Sequence, residues 1–366
     1  MKSISKASSV IYLFNAYSNL DTSINFISGS DRVGLELINQ ERDSVIVIGP
    51  NLFKKFVSKQ NIFLSSDNLN IKNLYLRYLI RLWETFFILK KVSHSYKIEK
   101  IISTSDFFPD VIPAYLYANK LKWYAFTYHL YPGKFSVRNF LGRTLQNISF
   151  FLIKKSYKVI TTNTEVLEFL KSNYKIINIK KVLLGIDYTK YGNKFKKNGE
   201  LVFLGRIKKS KGVFDLPEVI FNLKESLPNI KLNIIGNGTS EDIEKLKQLI
   251  FQFNLNMNID IFNNLDDKEV IEFLKKSSLL LQPSYEEGFG LSVLESLASG
   301  TPVVLYDLPV YRENFSQFEL FYTPIGDRLK FSNMVKNALE SKMPVYSRSL
   351  FKPFSWSTIY ENIFFD

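Results

Sequence analysis

The feature that most limits the fold is an alternation kept up along the whole chain. Short β-branched or apolar runs are separated by longer stretches of helical period, which is how parallel α/β units are written. In the first half the runs are SSVIYLF (8–14), SVIVIG (44–49), KIISTS (100–105), KWYAFTY (122–128) and KVITT (158–162), with long helical stretches at 71–92 and 137–156. In the second half they are ELVFLG (200–205), IKLNIIG (230–236), IDIFN (259–263), SLLLQP (278–283) and TPVVLY (301–306). The expectation is an α/β protein of two similar, doubly wound, Rossmann-like halves. The polar, Gly/Asn/Lys-rich stretch 186–200 has the composition of a linker. The domains are therefore set at 1–190 and 191–350, with a tail, 351–366, whose helix starts at Ser355 and docks through aromatic residues.

Bulk numbers agree with two domains. At 366 residues the chain exceeds a typical single core, and 46% hydrophobic with 15% aromatic residues supplies two cores and excludes disorder. No apolar run of roughly 18 residues occurs, which argues against a membrane span. The apolar VIYLF near the N-terminus is short for a signal sequence and reads as a first buried strand. With 0 cysteines, disulfide and thiol chemistry are excluded, and the cytoplasm is the default compartment. Charge is uneven: residues 1–200 carry 30 Lys and Arg against 14 Asp and Glu, whereas 201–366 carry 18 against 21. A basic half suits an acidic partner such as an anionic membrane surface; a Lys-rich genome accounts for the same bias equally well.

The stretch SYEEGFGLSVLESLASGTPVV (284–304) carries the chemistry. It reads as a loop leaving a parallel strand, then a short helix with Leu291, Leu294, Leu297 and Ala298 on its apolar side, stopped by Gly300 and Pro302. Open α/β sheets bind ligands at such strand ends. The first N–H groups of the helix suit a phosphate, which nearby glycines allow to approach. Glu287 lies in the loop and Glu295 about one turn inside the helix. A carboxylate beside a diphosphate is repelled unless it bonds hydroxyls, so sugar and ribose hydroxyls are the natural partners; the bland alternative is two solvated glutamates.

Other stretches are weaker alone. In LVFLGRIKKSKG (201–212), Arg206 and Lys211 lie between a strand and a helix, where two cations can stabilise a departing diphosphate without a metal; a solvated basic turn is the competing reading. IIGNGTSEDIEKL (234–246) places Gly236 and Gly238 at the next strand end, equally readable as a tight turn capped by Thr239 or Ser240. YHLYPGKF (128–135) holds His129 just after an apolar strand, where a histidine is often structural. His94 reads as an ordinary solvated residue.

The EGFG-x4-E arrangement ending in SGTPVV resembles the Glu-x7-Glu motif of retaining, group 1 (family 4-like) glycosyltransferases of the GT-B fold. The resemblance implies two Rossmann-like domains facing across a cleft, with a C-terminal helix, announced by FSW (354–356), crossing back to the first. It implies that Glu287 lies by the transferred sugar, Glu295 bonds the nucleotide ribose, and the backbone of Phe289, Gly290 and Leu291 contacts the diphosphate. Arg206 and Lys211 resemble the family's G-R-x4-K-G element, with Gly205 as its first glycine. Gly236 resembles its hydrophobic-G-x-G turn, and His129 its donor-sugar histidine. The region FNNLDDKEVIEFL (262–274) matches where the nucleobase packs. Two departures stand out: NAYSNLDTS (15–23) replaces the family's Gly-Gly loop, with Ser18, Asn19 or Asp21 available as substitutes, and LGID (184–187) lacks an Asn common there.

The activity so implied is transfer of a hexose-type sugar from a nucleoside-diphosphate sugar to an acceptor hydroxyl with retention, the departing phosphate taking the acceptor proton. No D-x-D triplet occurs, so no metal and no cofactor beyond the donor substrate is expected, and nucleic acid is not an expected partner. Residues 71–92 and 137–156 mix Arg and Lys with large apolar side chains. They read either as core helices or as a surface lying on an anionic membrane at the inner face of the cytoplasmic membrane. In the second case the acceptor is lipid-linked, or an oligosaccharide, in polysaccharide or lipopolysaccharide assembly. Rival readings are a nicotinamide oxidoreductase, disfavoured because no glycine follows the first strand, and a phosphorylase using pyridoxal phosphate, for which the chain is short. The last is a non-catalytic basic nucleotide- or membrane-binding protein on a degenerate glycosyltransferase fold.

Overall fold

A computed structural model describes residues 8–17, 27, 29–67, 71–130, 137–192, 197–341 and 345–365. The chain divides into two compact units, Met1–Val182 with Ile359–Asp366, and Leu183–Thr358. Each holds one wholly parallel sheet.

Unit 1 contains strands β1 Ser8–Leu13, β2 Ser44–Gly49, β3 Ile62–Ser65, β4 Lys97–Ser103, β5 Lys122–Thr127, β6 Lys158–Thr161 and β7 Ile179–Lys181. They lie in the order β3-β2-β1-β4-β5-β6-β7. The order reverses between β1 and β4, which makes the C-terminal ends of these two strands the switch point. The central strands read as continuous apolar runs because both faces are covered; Ile11, Leu13, Ile46, Ile48, Ile101 and Val159 are all buried in one core. Helices Leu74–Ser95 and Val137–Ile153 occupy the two long helical stretches of the sequence, the first displaced a few residues towards the C-terminus. Asn73 caps the first of them, accepting from the Leu76 N–H at 3.1 Å.

Unit 2 contains β8 Leu201–Leu204, β9 Leu232–Ile235, β10 Ile259–Phe262, β11 Leu279–Gln282, β12 Val303–Tyr306 and β13 Phe321–Thr323, in the order β10-β9-β8-β11-β12-β13. Here the order reverses between β8 and β11, so the loops after these two strands flank the switch point of this sheet. Thr239 caps the helix Ser240–Gln252 by accepting from the Asp242 N–H at 3.1 Å.

The division falls after Val182, not after residue 190 as the polar composition suggested. Leu184, Ile186 and Tyr191 are buried, and the Ile186 N–H donates to the Phe354 carbonyl at 2.8 Å, which ties this stretch into unit 2. The tail likewise divides within its helix, Trp356–Phe364, rather than at residue 351. Its first residue belongs to unit 2, where the Trp356 ring lies against Gly185 so closely that a Cβ there would sit 2.6 Å from it. Its last turns belong to unit 1: Tyr360 donates to Glu41 at 2.6 Å, and the Phe364 ring meets Tyr124 at 4.7 Å. As expected, Ser355 caps this helix, its Oγ accepting from the Thr358 N–H at 3.2 Å.

Candidate functional site

The loop after β8 and the loop after β11 are joined at several points in unit 2. Lys211 closes a single 3-10 turn, Lys209–Lys211, and Gly212 follows at φ 67°. A Cβ on Gly212 would lie 1.7 Å from the Pro283 carbonyl oxygen, so only glycine allows the two backbones this approach. The Tyr285 N–H then donates to the Ser210 carbonyl at 2.9 Å. A second joint is made by Asp215, which is buried and accepts from the hydroxyls of Tyr285 at 2.7 Å and Tyr306 at 2.9 Å and from Arg328 Nε at 3.0 Å. Burial first, and then the Asp215 contact, push the Tyr285 hydroxyl pKa up, so it stays a donor.

This framework sets Lys211 Nζ 2.5 Å from Glu287 Oε1, with both side chains mostly shielded from solvent at 16% and 10% exposure. The same oxygen accepts from Ser284 Oγ at 3.1 Å and from Gln282 Nε2 at 3.4 Å. Ser292 donates to Gln282 Oε1 at 3.2 Å, so a short polar chain links the end of β11 to the first turn of the following helix. The reading of Glu287 as a solvated loop carboxylate is thereby excluded. Arg206 is exposed at the end of β8. It is close enough, together with Lys211, to depress the Lys208 pKa, although burial of Lys208 is the larger cause.

The helix Leu291–Ala298 is shielded nearly all round rather than on one stripe: Val293 through Ala298 are all buried. Glu295 is among them at 8% exposure, and Tyr191 donates to its Oε1 at 3.3 Å. Gly290 precedes Leu291 at φ 100°, and a Cβ there would meet the Tyr311 ring at 2.8 Å. The Phe289 side chain is buried against Phe315 and Phe354, and its carbonyl accepts from Asn314 Nδ2 at 3.3 Å. The Gly290 carbonyl accepts from the Val293 N–H at 3.0 Å, and the N–H groups of Leu291 and Ser292, in the first turn, have no acceptor within the helix. Gly205 and Gly236 face each other at the ends of β8 and β9: a Cβ on Gly236 would lie 1.8 Å from the Gly205 carbonyl oxygen.

Three participants escaped the sequence. Asp215 and Tyr191 reach the site through partners 70 and 104 positions away in the chain, beyond any local pattern. Tyr311 is the third. Its hydroxyl is fully buried in the field of Glu287 and within reach of the Ser284 and Gln282 side chains, and burial raises its pKa well above the ordinary value.

In unit 1, His129 is exposed two residues beyond β5. Its carbonyl accepts from Gln146 Nε2 at 3.0 Å, and the same amide donates to the buried Asp106 Oδ2 at 2.8 Å. The polypeptide leaving β1 is clamped from the helix Leu74–Ser95. Arg81 pairs with Asp67 at 2.5 Å and donates to the carbonyls of Asn15 and Tyr17, while Tyr78 donates to that of Ala16 at 3.1 Å. Ser18, Asn19 and Asp21 lie outside the described residues.

Residues 187–346 match the family model described as glycosyl transferases group 1. An uncharacterized glycosyltransferase of Methanocaldococcus jannaschii, MJ1069, is 24% identical over 75% of this chain and 75% of its own length. Further relatives are spanned over only 41% and 55% of their length. Among solved structures, Anabaena HepE in complex with UDP and glucose superposes with a TM-score of 0.70 at 14% identity, covering 97% of this chain and 95% of that one. WaaG, a glycosyltransferase involved in lipopolysaccharide biosynthesis, gives 0.70 at 15% identity, covering 96% and 94%. The architecture is that of the GT-B glycosyltransferases, two Rossmann-like units with parallel sheets.

Proposed function

We propose, from the premise that residues 187–346 form a group 1 glycosyltransferase domain, that this chain moves a hexose-type sugar from a nucleoside-diphosphate sugar to an acceptor hydroxyl with retention of configuration. The observation that carries the reading is the largely shielded pairing of Lys211 with Glu287 beside the helix Leu291–Ala298, at the switch point of the unit 2 sheet. A cation, a carboxylate and the first amide groups of a helix at one strand end suit a ligand that is anionic on one side and hydroxylated on the other.

In this reading Lys211 and Arg206 take the charge that grows on the leaving diphosphate, as a point charge and a fork respectively. The amides around Phe289, Gly290 and Leu291 hold the same diphosphate, and Gly205 and Gly236 let it approach the strand ends. Glu287 bonds the transferred sugar and Glu295 the ribose; His129 is assigned a hydrogen bond to the donor sugar. The acceptor proton passes to the departing phosphate, and no side chain is assigned as a covalent nucleophile. With the cations in that role, turnover persists in chelator.

The acceptor is proposed to be lipid-linked or an oligosaccharide in cell-surface polysaccharide assembly, a setting supported by the likeness to WaaG. No described helix is long and apolar enough to cross a membrane. Instead the helix Leu74–Ser95 exposes Leu76, Leu79, Trp83, Phe86 and Phe87, and Val137–Ile153 exposes Phe140, Ile148 and Phe151. Lysines flank both apolar rows, at Lys90, Lys91, Lys154 and Lys155. Such a surface matches the interface of an anionic bilayer.

The deciding experiment is thermal-shift binding against nucleoside diphosphates and their sugars, with Glu295→Ala and Arg206→Ala beside the native chain. Stabilisation by one nucleotide that both substitutions abolish is the expected result. A folded native protein that responds to none of them overturns the donor assignment and favours the non-catalytic reading.

A further inference from the structure

A second cavity of unit 2 lies at the other end of the helix Leu291–Ala298 from Gly290. It encloses about 150 Å³ and is walled by Tyr188, Tyr191, Lys197, Tyr346, Arg348 and Phe351, with Leu297, Ala298 and Gly300 beneath. The glutamate pair and the diphosphate-facing turn are not among its lining residues.

Its charge is unbalanced. Lys197 Nζ donates to the Thr301 hydroxyl at 2.6 Å and to the Lys275 carbonyl at 3.0 Å, both neutral oxygens, and it makes no ion pair among the described residues. Burial lowers its pKa to about 8, the mark of an ammonium that the protein leaves uncompensated. Arg348 is exposed and lines the cavity, and among the described residues its one hydrogen bond runs from Nη2 to the Tyr191 carbonyl at 3.4 Å. Two cations without a carboxylate match a phosphate monoester, which carries about −1.5 to −2 charges at neutral pH. The remaining walls include Leu297, Val345 and several rings, among them Tyr188 and Phe351, stacked with centroids 6.5 Å apart. Rings beside a cation fork give the apolar face of a pyranose something to lie on while the phosphate meets Lys197 and Arg348.

We propose that this cavity is a binding site for a sugar phosphate, separate from the donor site. One link from it to that site runs through Tyr191. Tyr191 lines the cavity with its ring, accepts from Arg348 through its carbonyl, and donates from its hydroxyl to Glu295. A ligand that draws the Arg348 fork to its phosphate removes that bond to Tyr191 and changes how Glu295 is held. Occupancy of the cavity thus alters nucleotide affinity, and by linkage nucleotide alters sugar-phosphate affinity by the same factor.

The test is calorimetric titration of the full chain with glucose 6-phosphate, with inorganic phosphate as the sugarless probe, alone and with nucleoside diphosphate saturating. The variants are Lys197→Met, Arg348→Ala and Tyr191→Phe. Saturable binding is expected, tighter for the sugar phosphate than for phosphate, and weakened by roughly tenfold or more in the first two variants. The Lys197→Met chain is expected to fold, since it exchanges a half-buried cation that pairs with no carboxylate among the described residues for an apolar side chain of similar length, and the exposed Arg348 supplies an independent variant. Tyr191→Phe is expected to keep sugar-phosphate binding and lose its effect on nucleotide affinity. No binding, or binding unchanged by both Lys197→Met and Arg348→Ala, overturns the proposal. Displacement by nucleoside diphosphate that persists in both variants overturns it too, since the ligand would then occupy the donor site. Failure of nucleotide binding alone, with sugar phosphate still bound, bears on the proposed function and not on this cavity.

Discussion

Lys211 Nζ lies 2.5 Å from Glu287 Oε1, so the cation assigned to the donor's diphosphate is held by the carboxylate assigned to its sugar. Under the proposed roles, the two ligand parts and the two side chains exchange partners when donor binds. Glu287→Gln removes the anion that competes with the diphosphate for Lys211. It is expected to tighten binding of a bare nucleoside diphosphate by about tenfold while sugar transfer falls roughly 100-fold or more. Calorimetry with the nucleotide and a transfer assay read the two effects separately. Weaker nucleotide binding in this variant would mean that Lys211 is not freed for the diphosphate.

The close approach at Gly212 makes a sharper structural prediction. Its φ of 67° and the 1.7 Å gap from a would-be Cβ to the Pro283 oxygen leave alanine no place without separating the two loops. Gly212→Ala is expected to cost about 2 kcal/mol or more in urea unfolding. Because Lys211 immediately precedes the strained position, transfer is expected to fall even below the temperature at which the variant melts. A variant as stable as the native chain would show that the loops can part freely.

The depth to which the sequence could be read follows the range of the forces involved. The central strands were legible because both faces are buried and the apolar run is unbroken, as in Val45 to Ile48. The strands missed were Ile62–Ser65, Ile179–Lys181 and Phe321–Thr323, all at sheet edges, short and half-buried, where one covered face leaves no run to see. Within the site, Glu287, Glu295, Lys211 and the glycines announced themselves through spacing near strand ends. Asp215, Tyr191 and Tyr311 did not, since a buried acceptor or hydroxyl is defined by partners far along the chain. The domain boundary was misplaced for a related reason: polar composition marks residues 186–200, yet Ile186 and Tyr191 are buried by packing that composition does not express.

In unit 1, Asp110 supplies a pH dependence. It is fully buried, and burial raises its pKa from 3.8 to about 7 despite the hydrogen bonds it accepts from Ser105 and from the Asn15 N–H. The folded chain then binds more protons than the unfolded chain between those two values. Stability is therefore expected to decline as pH rises from about 4 to about 7 through this group, and to level off above. Asp110→Asn keeps an acceptor for the Asn15 N–H and can donate to the Ser105 oxygen. It is expected to flatten that decline. Urea unfolding of both chains at pH 5 and pH 8 measures the difference; an equal slope in the two would place the titration elsewhere.

The exposed rows on the helices Leu74–Ser95 and Val137–Ile153 decide whether the basic half faces a membrane. Trp83 is 67% exposed, Phe140 74% and Phe151 71%, far more apolar surface than a helix solvated on that face needs. Trp83→Ser with Phe151→Ser removes insertion while leaving the buried face, with Leu89, Val92 and Ile153, intact. Binding to vesicles containing anionic lipid is expected to drop about tenfold or more in the double variant, with melting temperature unchanged. Raising salt is expected to weaken the native chain's binding as well, because the flanking Lys90, Lys91, Lys154 and Lys155 act through a screened field. Sedimentation with neutral and anionic vesicles gives both readouts. Equal binding to the two vesicle types would remove the electrostatic half of the argument, and no loss in the double variant would remove the apolar half.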